Sequence, residues 1–383
     1  MAAKAKSGLV MRIIDLVAGI LSAGAAGALL LSYLAPYVDP NRWWLVAYFG
    51  LIEPLLYLAN LIFMLYWAVR WKRFFFVCAA VFLLGIGTVS NFYRFSVSKS
   101  YAEIPKADLL KILTFNVEGF VAYDPEMQRS RSTAPEILEF VREADPDIVC
   151  FQEYQSTPQH PQEEIDRMLE KWPHRRINYT VGSGERGILG VALYSKFPIL
   201  SSGEIRFEGS SNGAVYAEVL AGKTDTLRIV ANHLETTYVD RGNVAFLDYH
   251  NFSRSENKSD EIRRIAGRLR KGFLKRAIQA DSMARLIASR NVPTIVCGDF
   301  NDTPGSYVYR KVRGNYRDAF EEKGNGFGYT YKGLYRILRI DYILHSEELE
   351  TLDYESPDVP WSDHNPVKAT LRFRRDPDRA GGR

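Results

Sequence analysis

Five short clusters place carboxylate, amide or imidazole groups within or immediately after apolar runs. They are Thr114-Phe-Asn116, Phe151-Gln-Glu153, Asn232-His233-Leu, Gly298-Asp299-Phe-Asn301-Asp302 and Ser362-Asp363-His364-Asn-Pro366. A sixth run, Ile340-Asp341-Tyr-Ile, carries an Asp inside it. Singly, each has an ordinary structural reading. Asn and Asp cap turns and helices, a lone His is more often a satisfied structural residue than a catalyst, and Asp302 before Thr303-Pro304 reads as a turn or cap. Together they carry more. Asp299 and Asn301 are two apart, so at a strand end both side chains point to one face. Glu153 and Asp299 are hard oxygen ligands suited to Mg²⁺ or Mn²⁺, and no Cys-rich or His-rich spacing suits structural zinc. Asp341 has the chemistry to orient the His364 imidazole, and His233 and His364 can donate to a phosphate oxygen. A metal, imidazoles and amides around one anionic centre are the equipment for in-line hydrolysis of a phosphoester.

The elements that must position these groups are mostly strands. Residues 110–117, 146–152, 190–194, 215–219, 227–232, 292–297, 340–344 and 367–371 form short apolar runs of strand length. Helical spacing marks 135–143, where Ile137, Leu138, Phe140 and Val141 recur, then 162–169, and one or two helices over 261–289. Many strands, a few helices and polar clusters at the strand ends predict an α/β sandwich of sheets with helices outside. The three cysteines, Cys78, Cys150 and Cys297, are too few for a disulfide scaffold and read as small core filler.

This ordered set resembles the endonuclease/exonuclease/phosphatase (DNase I-like) superfamily over about residues 110–373. The stretches at 298–301 and 362–366 are specific together, and those at 114–116, 151–153, 232–234 and 339–344 fall in the order the family has them. The resemblance implies a four-layer α/β/β/α sandwich with its site at one end, and a Mg²⁺-dependent (or Mn²⁺-dependent) hydrolase acting on ester bonds. It implies Glu153 as principal metal ligand, with Asp363 as second ligand or water-orienting group. Asn116 would position the metal or the scissile phosphate. Asp299 would orient or deprotonate the attacking water, and Asn301 would contact the phosphate. His364, held by Asp341, would stabilise charge on the phosphoryl oxygens. His233 would contact the phosphate or protonate the leaving oxygen; the carboxylate partner that its counterpart has in DNase-like members is not identifiable in the sequence.

The first quarter is different in kind. Of 49 basic and 45 acidic residues, residues 1–96 hold eight and three. Three apolar stretches, about 13–34, 43–69 and 74–93, are each long enough for a helix across a hydrocarbon core of about 30 Å. Trp43, Trp44, Tyr66, Trp67 and Trp71 sit where interfacial aromatics belong, and the Gly/Ala-rich stretch 22–28 would let a neighbouring helix approach closely. A signal peptide competes as a reading of the first stretch, but two more apolar stretches follow it. Lys4, Lys6 and Arg12 before the first span, and Arg70, Lys72 and Arg73 after the second, place those ends in the cytoplasm. Three crossings then put the rest of the chain on the extracytoplasmic side of a multi-pass protein. Glu53 at membrane depth invites a pore or relay role, but with no charged mid-span partner it reads rather as a protonated or partnered group at the Pro54 kink, or as one facing water. The expected organisation is therefore an all-α membrane anchor over 1–96, a linker over 97–107, the catalytic domain over 108–374 and a polar tail over 375–383.

The fold does not choose the phosphoester. The catalytic portion is nearly neutral, with 41 basic against 42 acidic residues over 97–383, a poor match to a non-specific nuclease. Arg263, Arg264, Arg268, Arg270 and Lys271 alternate with Ile262, Ile265 and Leu269, as in a basic amphipathic helix able to contact anionic headgroups or a phosphate backbone. The leading expectation is a lipid headgroup or other envelope phosphoester, with the bilayer as partner and no protein partner inferred. The alternatives are a membrane-bound nuclease acting on DNA or RNA and, from another class, an inactive scaffold that binds a phosphorylated ligand.

Overall fold

The computed structural model of the chain describes residues 2–96, 103–124, 129–181, 188–221, 225–237 and 258–374. Most of the linker at 97–107 and the tail at 375–383 lie outside the described residues.

Four helices come first: α1 (Ala2–Leu34), α2 (Pro40–Leu51), α3 (Glu53–Val69) and α4 (Phe74–Leu84). Among the described residues, two six-stranded sheets follow, beside two short strand pairs (Tyr93–Arg94 with Gly326–Phe327, and Val121–Asp124 with Arg129–Ser132). The strands of the two sheets are β1 (Leu110–Asn116), β2 (Ile148–Ser156), β3 (His174–Val181), β4 (Ile188–Ser195), β5 (Ile199–Arg206), β6 (Gly213–Ala221), β7 (Asp225–His233), β8 (Thr294–Asp299), β9 (Arg317–Asp318), β10 (Asp341–His345), β11 (Leu349–Glu355) and β12 (Val367–Phe373). One sheet runs β9-β10-β8-β7-β6-β5 and the other β11-β12-β1-β2-β4-β3. Helices α5 (Ala134–Ala144) and α6 (Gln162–Met168) cover the second sheet. Helices α7 (Lys258–Ala288) and α8 (Tyr307–Arg313) cover the first. This is the expected four-layer sandwich.

Strand alternation explains the layers. In β8, Ile295 and Cys297 point into the apolar layer between the sheets, while Val296 points under α7 and α8. In β1, Leu110 and Ile112 face the inter-sheet layer, and Leu113 and Phe115 face α5. Residues buried on both faces give near-continuous apolar runs, which is why the strands were visible in the sequence. All three cysteines are buried and free. The 261–289 segment is one helix rather than two.

The membrane expectation needs correction. Among the described residues one helix, Leu9–Tyr37, is long and apolar enough to cross a bilayer, or two if the α2–α3 pair counts as one span. The second stretch breaks at Ile52 and bends by 56°. Pro54, with no N–H to donate, sits in the first turn of α3, where a helix tolerates it. The third forms only the 11-residue α4 before a 3₁₀ segment, Ile86–Asn91. At about 1.5 Å per residue α4 covers about half of a hydrocarbon core. Three crossings are not supported, and the extracytoplasmic placement that rested on them loses its premise.

Nor does α2 stand free. Tyr48 Oη donates to the Ala266 carbonyl at 2.5 Å and Asn41 Nδ2 to the Leu274 carbonyl at 3.2 Å, both in α7. Arg270 of α7 lies over the Trp44 ring, 4.6 Å from its centroid. Within the helical segment, Asp15 of α1 accepts from Tyr66 and Arg70 at the end of α3, and Trp67 donates to Ser22. The close helix approach expected at 22–28 is not made at its glycines: a Cβ on Gly24 or Gly27 would meet no atom within 4 Å. Of the readings open for Glu53, the water-facing one does not hold: it is buried, and Thr88 Oγ1 donates to its carboxylate at 2.7 Å.

Candidate active site

Register sets three of the expected residues side by side. His233 ends β7 and Asp299 ends β8, paired in parallel. Asp341 begins β10, opposite Asp299 in an antiparallel pair. Asn116 ends β1 on the facing sheet. Because Ile295 and Cys297 already face the inter-sheet layer, Asp299 continues their row into the open end of the sandwich. His233 likewise follows Ile229 and Ala231.

Glu153 breaks this alternation. Ile148 and Cys150 face the inter-sheet layer, Val149 and Phe151 the α5 side. Simple alternation would send Glu153 outward with Phe151. The pairing of β2 with β4 shifts register between Phe151 and Tyr154, and Glu153 adopts φ 50°. This bulge puts Tyr154 in the outer layer and re-aims Glu153 into the site. At Gly298, φ is 125° and an added Cβ would collide with the Asn232 carbonyl oxygen on β7, so only glycine lets the two catalytic strands lie together. Asn301 takes the left-handed φ of 53° that Asn tolerates better than other residues with a Cβ.

Asp299 Oδ2 is the hub. It accepts from Asn116 Nδ2 at 3.0 Å and from Asn301 Nδ2 at 3.2 Å. It also faces His233 Nε2 at 3.6 Å and His364 Nε2 at 3.8 Å. Its other oxygen accepts the Asn301 N–H at 2.7 Å. Asn301 Nδ2 also donates to the Leu234 carbonyl, tying the loop to the end of β7. His364 Nδ1 donates to Asp341 Oδ2 at 2.9 Å, leaving Nε2 turned to the site. The Tyr331 ring packs against the His364 ring, 5.1 Å between centroids. The loop that carries His364 is fixed by Ser362, whose hydroxyl donates to the Asn116 carbonyl. Glu153 Oε1 lies 3.3 Å from Asn116 Nδ2 and 3.8 Å from His233 Nε2. Asp363 is at the rim, with its side chain 38% exposed and 4.0 Å from His364 Nε2.

The structure thus brings together Asn116, Glu153, His233, Asp299, Asn301, Asp341 and His364, with Asp363 at the edge. One carboxylate at this rim was missed. Glu118 Oε2 accepts the Asp363 N–H at 3.1 Å, and the Glu118 N–H donates back to Asn116 Oδ1. The available signal was an acidic residue two positions beyond a strand-end Asn. Among the described residues the carboxylates facing His233 Nε2 are those of Asp299 and Glu153, and Thr236 Oγ1 stands 3.3 Å from the same nitrogen.

Electrostatics separates the two histidines. Burial, with the His364 charge, lowers the pKa of His233 to about 3, so its imidazole is neutral at pH 7. Burial also opposes the His364 imidazolium, yet Asp341, Asp299 and Asp363 hold its pKa well above the ordinary value. Burial and the neighbouring Asp341 charge push Asp299 above the usual carboxylate range. Glu153 is raised by burial and by Asp363.

This charge distribution fits a hard cation. Glu153 has no Lys or Arg partner among the described residues; Asn116 Nδ2 and His233 Nε2 face it, and the Asp363 and Asp341 carboxylates add negative charge nearby. Asp299, Asp341 and His364 also place ligand-type atoms within 4.8 Å of one another. There, however, the Asp341–His364 bond already uses one atom of each. Asn116, expected beside Glu153 at a cation, turns its Nδ2 to Glu153 and Asp299 while its Oδ1 accepts the Glu118 N–H.

The basic residues expected to touch a membrane or phosphate are on α7, with Arg263, Arg264, Arg270 and Lys271 exposed. Arg264 pairs with Glu261, and Arg270 is spent on Trp44. Arg276 in the same run is buried, donating to Asp302, to the Glu235 carbonyl and to Thr237. It is a structural ion pair, not a headgroup contact. Asp302 is the turn residue expected, accepting the Thr303 N–H, and also the partner of Arg276.

The sequence model of the Endonuclease/Exonuclease/phosphatase family matches residues 113–364. A second model, Domain of unknown function (DUF8431), matches residues 14–92. No curated protein matches. Among solved structures, an endonuclease/exonuclease/phosphatase from Beutenbergia cavernae DSM 12333 is 17% identical, covering 70% of this chain and 72% of its own, with a TM-score of 0.49. The human Nocturnin catalytic domain with bound sulfate is 18% identical over 70% and 95%, TM-score 0.49. A Bacteroides vulgatus endonuclease/exonuclease/phosphatase is 18% identical over 70% and 99%, TM-score 0.48. On the family match, which spans well over half of the chain, the protein belongs to the Endonuclease/Exonuclease/phosphatase family, a family of phosphoester hydrolases.

Proposed function

We propose that this member of the Endonuclease/Exonuclease/phosphatase family is a divalent-metal-dependent phosphoester hydrolase held at a membrane by α1, with a lipid headgroup or another envelope phosphoester as substrate. The observation that carries the reading is the Asp299 carboxylate, gathered with two amides and two differently charged imidazoles beside Glu153, which has no Lys or Arg partner among the described residues.

Glu153, Asn116 and Asp363 are the residues that would hold Mg²⁺, with Mn²⁺ the other candidate. The cation would neutralise the phosphoryl group and make its phosphorus more electrophilic. The chain's own groups do the rest. Asp299 accepts a hydrogen bond from the attacking water and, with its raised proton affinity, takes its proton. Asn301 and Asn116 hold Asp299 in place with their amide hydrogens, and each contacts a phosphate oxygen by exchanging one of those hydrogen bonds for it. His364, kept as an imidazolium by Asp341, faces the charge that builds on those oxygens. His233 enters as a neutral hydrogen-bond partner of the phosphate, because a group with a pKa of about 3 is not charged at pH 7.

Three features support the lipid or envelope substrate over nucleic acid: the near-neutral catalytic portion, the apolar α1, and the exposed basic face of α7. The test offers purified full-length protein phospholipid and sphingolipid vesicles, plasmid DNA, RNA and inositol phosphates, in Mg²⁺ or EDTA. Wild type is compared with Asp299→Asn. Lipid cleavage that needs both Mg²⁺ and Asp299 supports the reading. Cleavage of DNA or RNA alone replaces it with the nuclease. Equal turnover by Asp299→Asn removes this site from the reaction.

A further inference from the structure

The α2–α3 break is pressed against the loop that carries Asp299 and Asn301. Gly50, the penultimate residue of α2, and Gly305 face each other backbone to backbone. An added Cβ on Gly50 would collide with the Gly305 carbonyl oxygen, and one on Gly305 would lie 2.8 Å from the Gly50 carbonyl oxygen and collide with the Glu53 carboxylate. Thr303 Oγ1 donates to the Gly50 carbonyl at 3.2 Å, in a buried bond that crosses 253 residues of sequence. That carbonyl is in the last turn of α2, where the N–H of Ile52 also reaches it. Glu53 lies 1% exposed at the start of α3, with Thr88 donating to its other oxygen.

The contact reaches the chemistry in few steps. Thr303 is two residues from Asn301, whose amide donates to Asp299. Asp302, between them, accepts the Thr303 N–H and the buried Arg276 guanidinium. Tyr342 pins the Asp302 carbonyl from the opposite side. Arg276 stacks on Phe273, and Phe273 meets Tyr48 of α2 edge-on, 5.2 Å between centroids. The far side of the catalytic loop is therefore built on the N-terminal helices.

We propose that Gly50, with Glu53 and Thr303, is a positioning device: the N-terminal segment sets the Asp299–Gly305 loop rather than merely tethering the enzyme. This inference rests on the hydrolase reading for its kinetic arm but has an independent physical one. None of the three residues touches the reacting atoms. They act through Asn301 and Asp299, where small displacements of a reacting geometry are costly.

The experiment uses the full-length protein with Thr303→Val, Thr303→Ser and Gly50→Ala. Turnover is measured with the phosphoester that the wild type cleaves, and amide hydrogen exchange is measured over residues 299–306. The expected result for Thr303→Val is a kcat lower by about tenfold with KM within about twofold, since a misplaced group is lost from the transition state rather than from binding. Exchange over 299–306 should quicken, and Thr303→Ser, which keeps the hydroxyl, should restore both. Gly50→Ala should lower kcat in the same way, even though alanine favours a helix interior over glycine, and serves in place of Thr303→Val if that variant does not fold. Wild-type kcat and wild-type exchange in the folded variants overturn the proposal, as does a loss in Thr303→Ser equal to that in Thr303→Val. If the wild type cleaves nothing in the panel, the hydrolase reading fails, and the exchange comparison alone still decides the positioning.

Discussion

His233 and Asp299 occupy the same register at the ends of two adjacent parallel strands, with Nε2 3.6 Å from Oδ2. The strands come this close because residue 298 has no Cβ, and the pairing puts a neutral imidazole against a carboxylate that burial makes reluctant to ionise.

That reluctance has a measurable sign. Asp299 holds its proton more tightly folded than unfolded. In metal-free protein it therefore subtracts from stability as pH rises above the unfolded carboxylate value of about 3.9. Asp299→Asn should lower kcat by about 10³-fold, about 4 kcal/mol in the barrier. It should also raise the Tm of metal-free protein at pH 8, with the gap closing towards pH 4. A Tm at pH 8 below wild type would contradict the burial argument.

The two imidazoles should titrate apart. NMR of ring nitrogens should show His364 protonated and His233 neutral at pH 7. Because the folded pKa of His364 is raised, its contribution to stability is full below the unfolded value of about 6.5 and is lost as pH rises through the folded value. Asp341→Asn removes the hydrogen-bonded carboxylate and leaves burial less opposed. It should shift the His364 titration downward, shrink that pH-dependent stability, and cost about 10²-fold in kcat.

Divalent cation should stabilise the protein through Glu153. At a concentration 100 times its Kd, Mg²⁺ should add about 2.7 kcal/mol to unfolding. Thermal melts in Mg²⁺ and in EDTA measure the shift directly. Glu153→Gln, which keeps the shape but removes the charge, should abolish most of it and the metal-dependent turnover. An unchanged shift in that variant would move the cation to the Asp299, Asp341 and His364 cluster.

Two arginines in the same helix should behave oppositely. Arg276 is 1% exposed and bonded to Asp302, so Arg276→Ala strands a buried carboxylate and should cost about 3–5 kcal/mol in chemical denaturation. Arg264 has a side chain 67% exposed. Arg264→Ala should change stability by no more than about 0.5 kcal/mol. If α7 meets a bilayer, replacing Arg263, Arg264 and Lys271 together by Gln should weaken binding to anionic vesicles with Tm unchanged.

Much of the site was legible because its residues end apolar strands. Asn116, His233 and Asp299 follow directly from runs whose alternation also fixes which face is buried. Asp341 and His364 were legible as a pair by chemistry, and the 2.9 Å bond between them is the arrangement expected. Glu118 carried only a weak local signal, its place two residues beyond the strand-end Asn116, and its part in the rim is fixed only when the loop of Asp363 folds back onto it. The helices misled for a related reason. Apolar length alone does not distinguish a bilayer-crossing helix from one that packs on its own catalytic domain, as α2 does.

The sequence by itself determined the strand and helix types, the layered α/β architecture, the family and the residue types of the site, because these follow from periodicity and from motifs read within a few residues. Only the tertiary structure decided the aim of Glu153, which depends on a bulge flanked by the pairs Phe151–Ala192 and Tyr154–Gly190, far apart in sequence. The same holds for the opposed charge states of the two histidines, set by burial and by carboxylates brought from other strands. It also alone decided that the N-terminal helices bear on the catalytic loop, since a contact across 253 residues is fixed by how surfaces pack and leaves no local pattern in the chain.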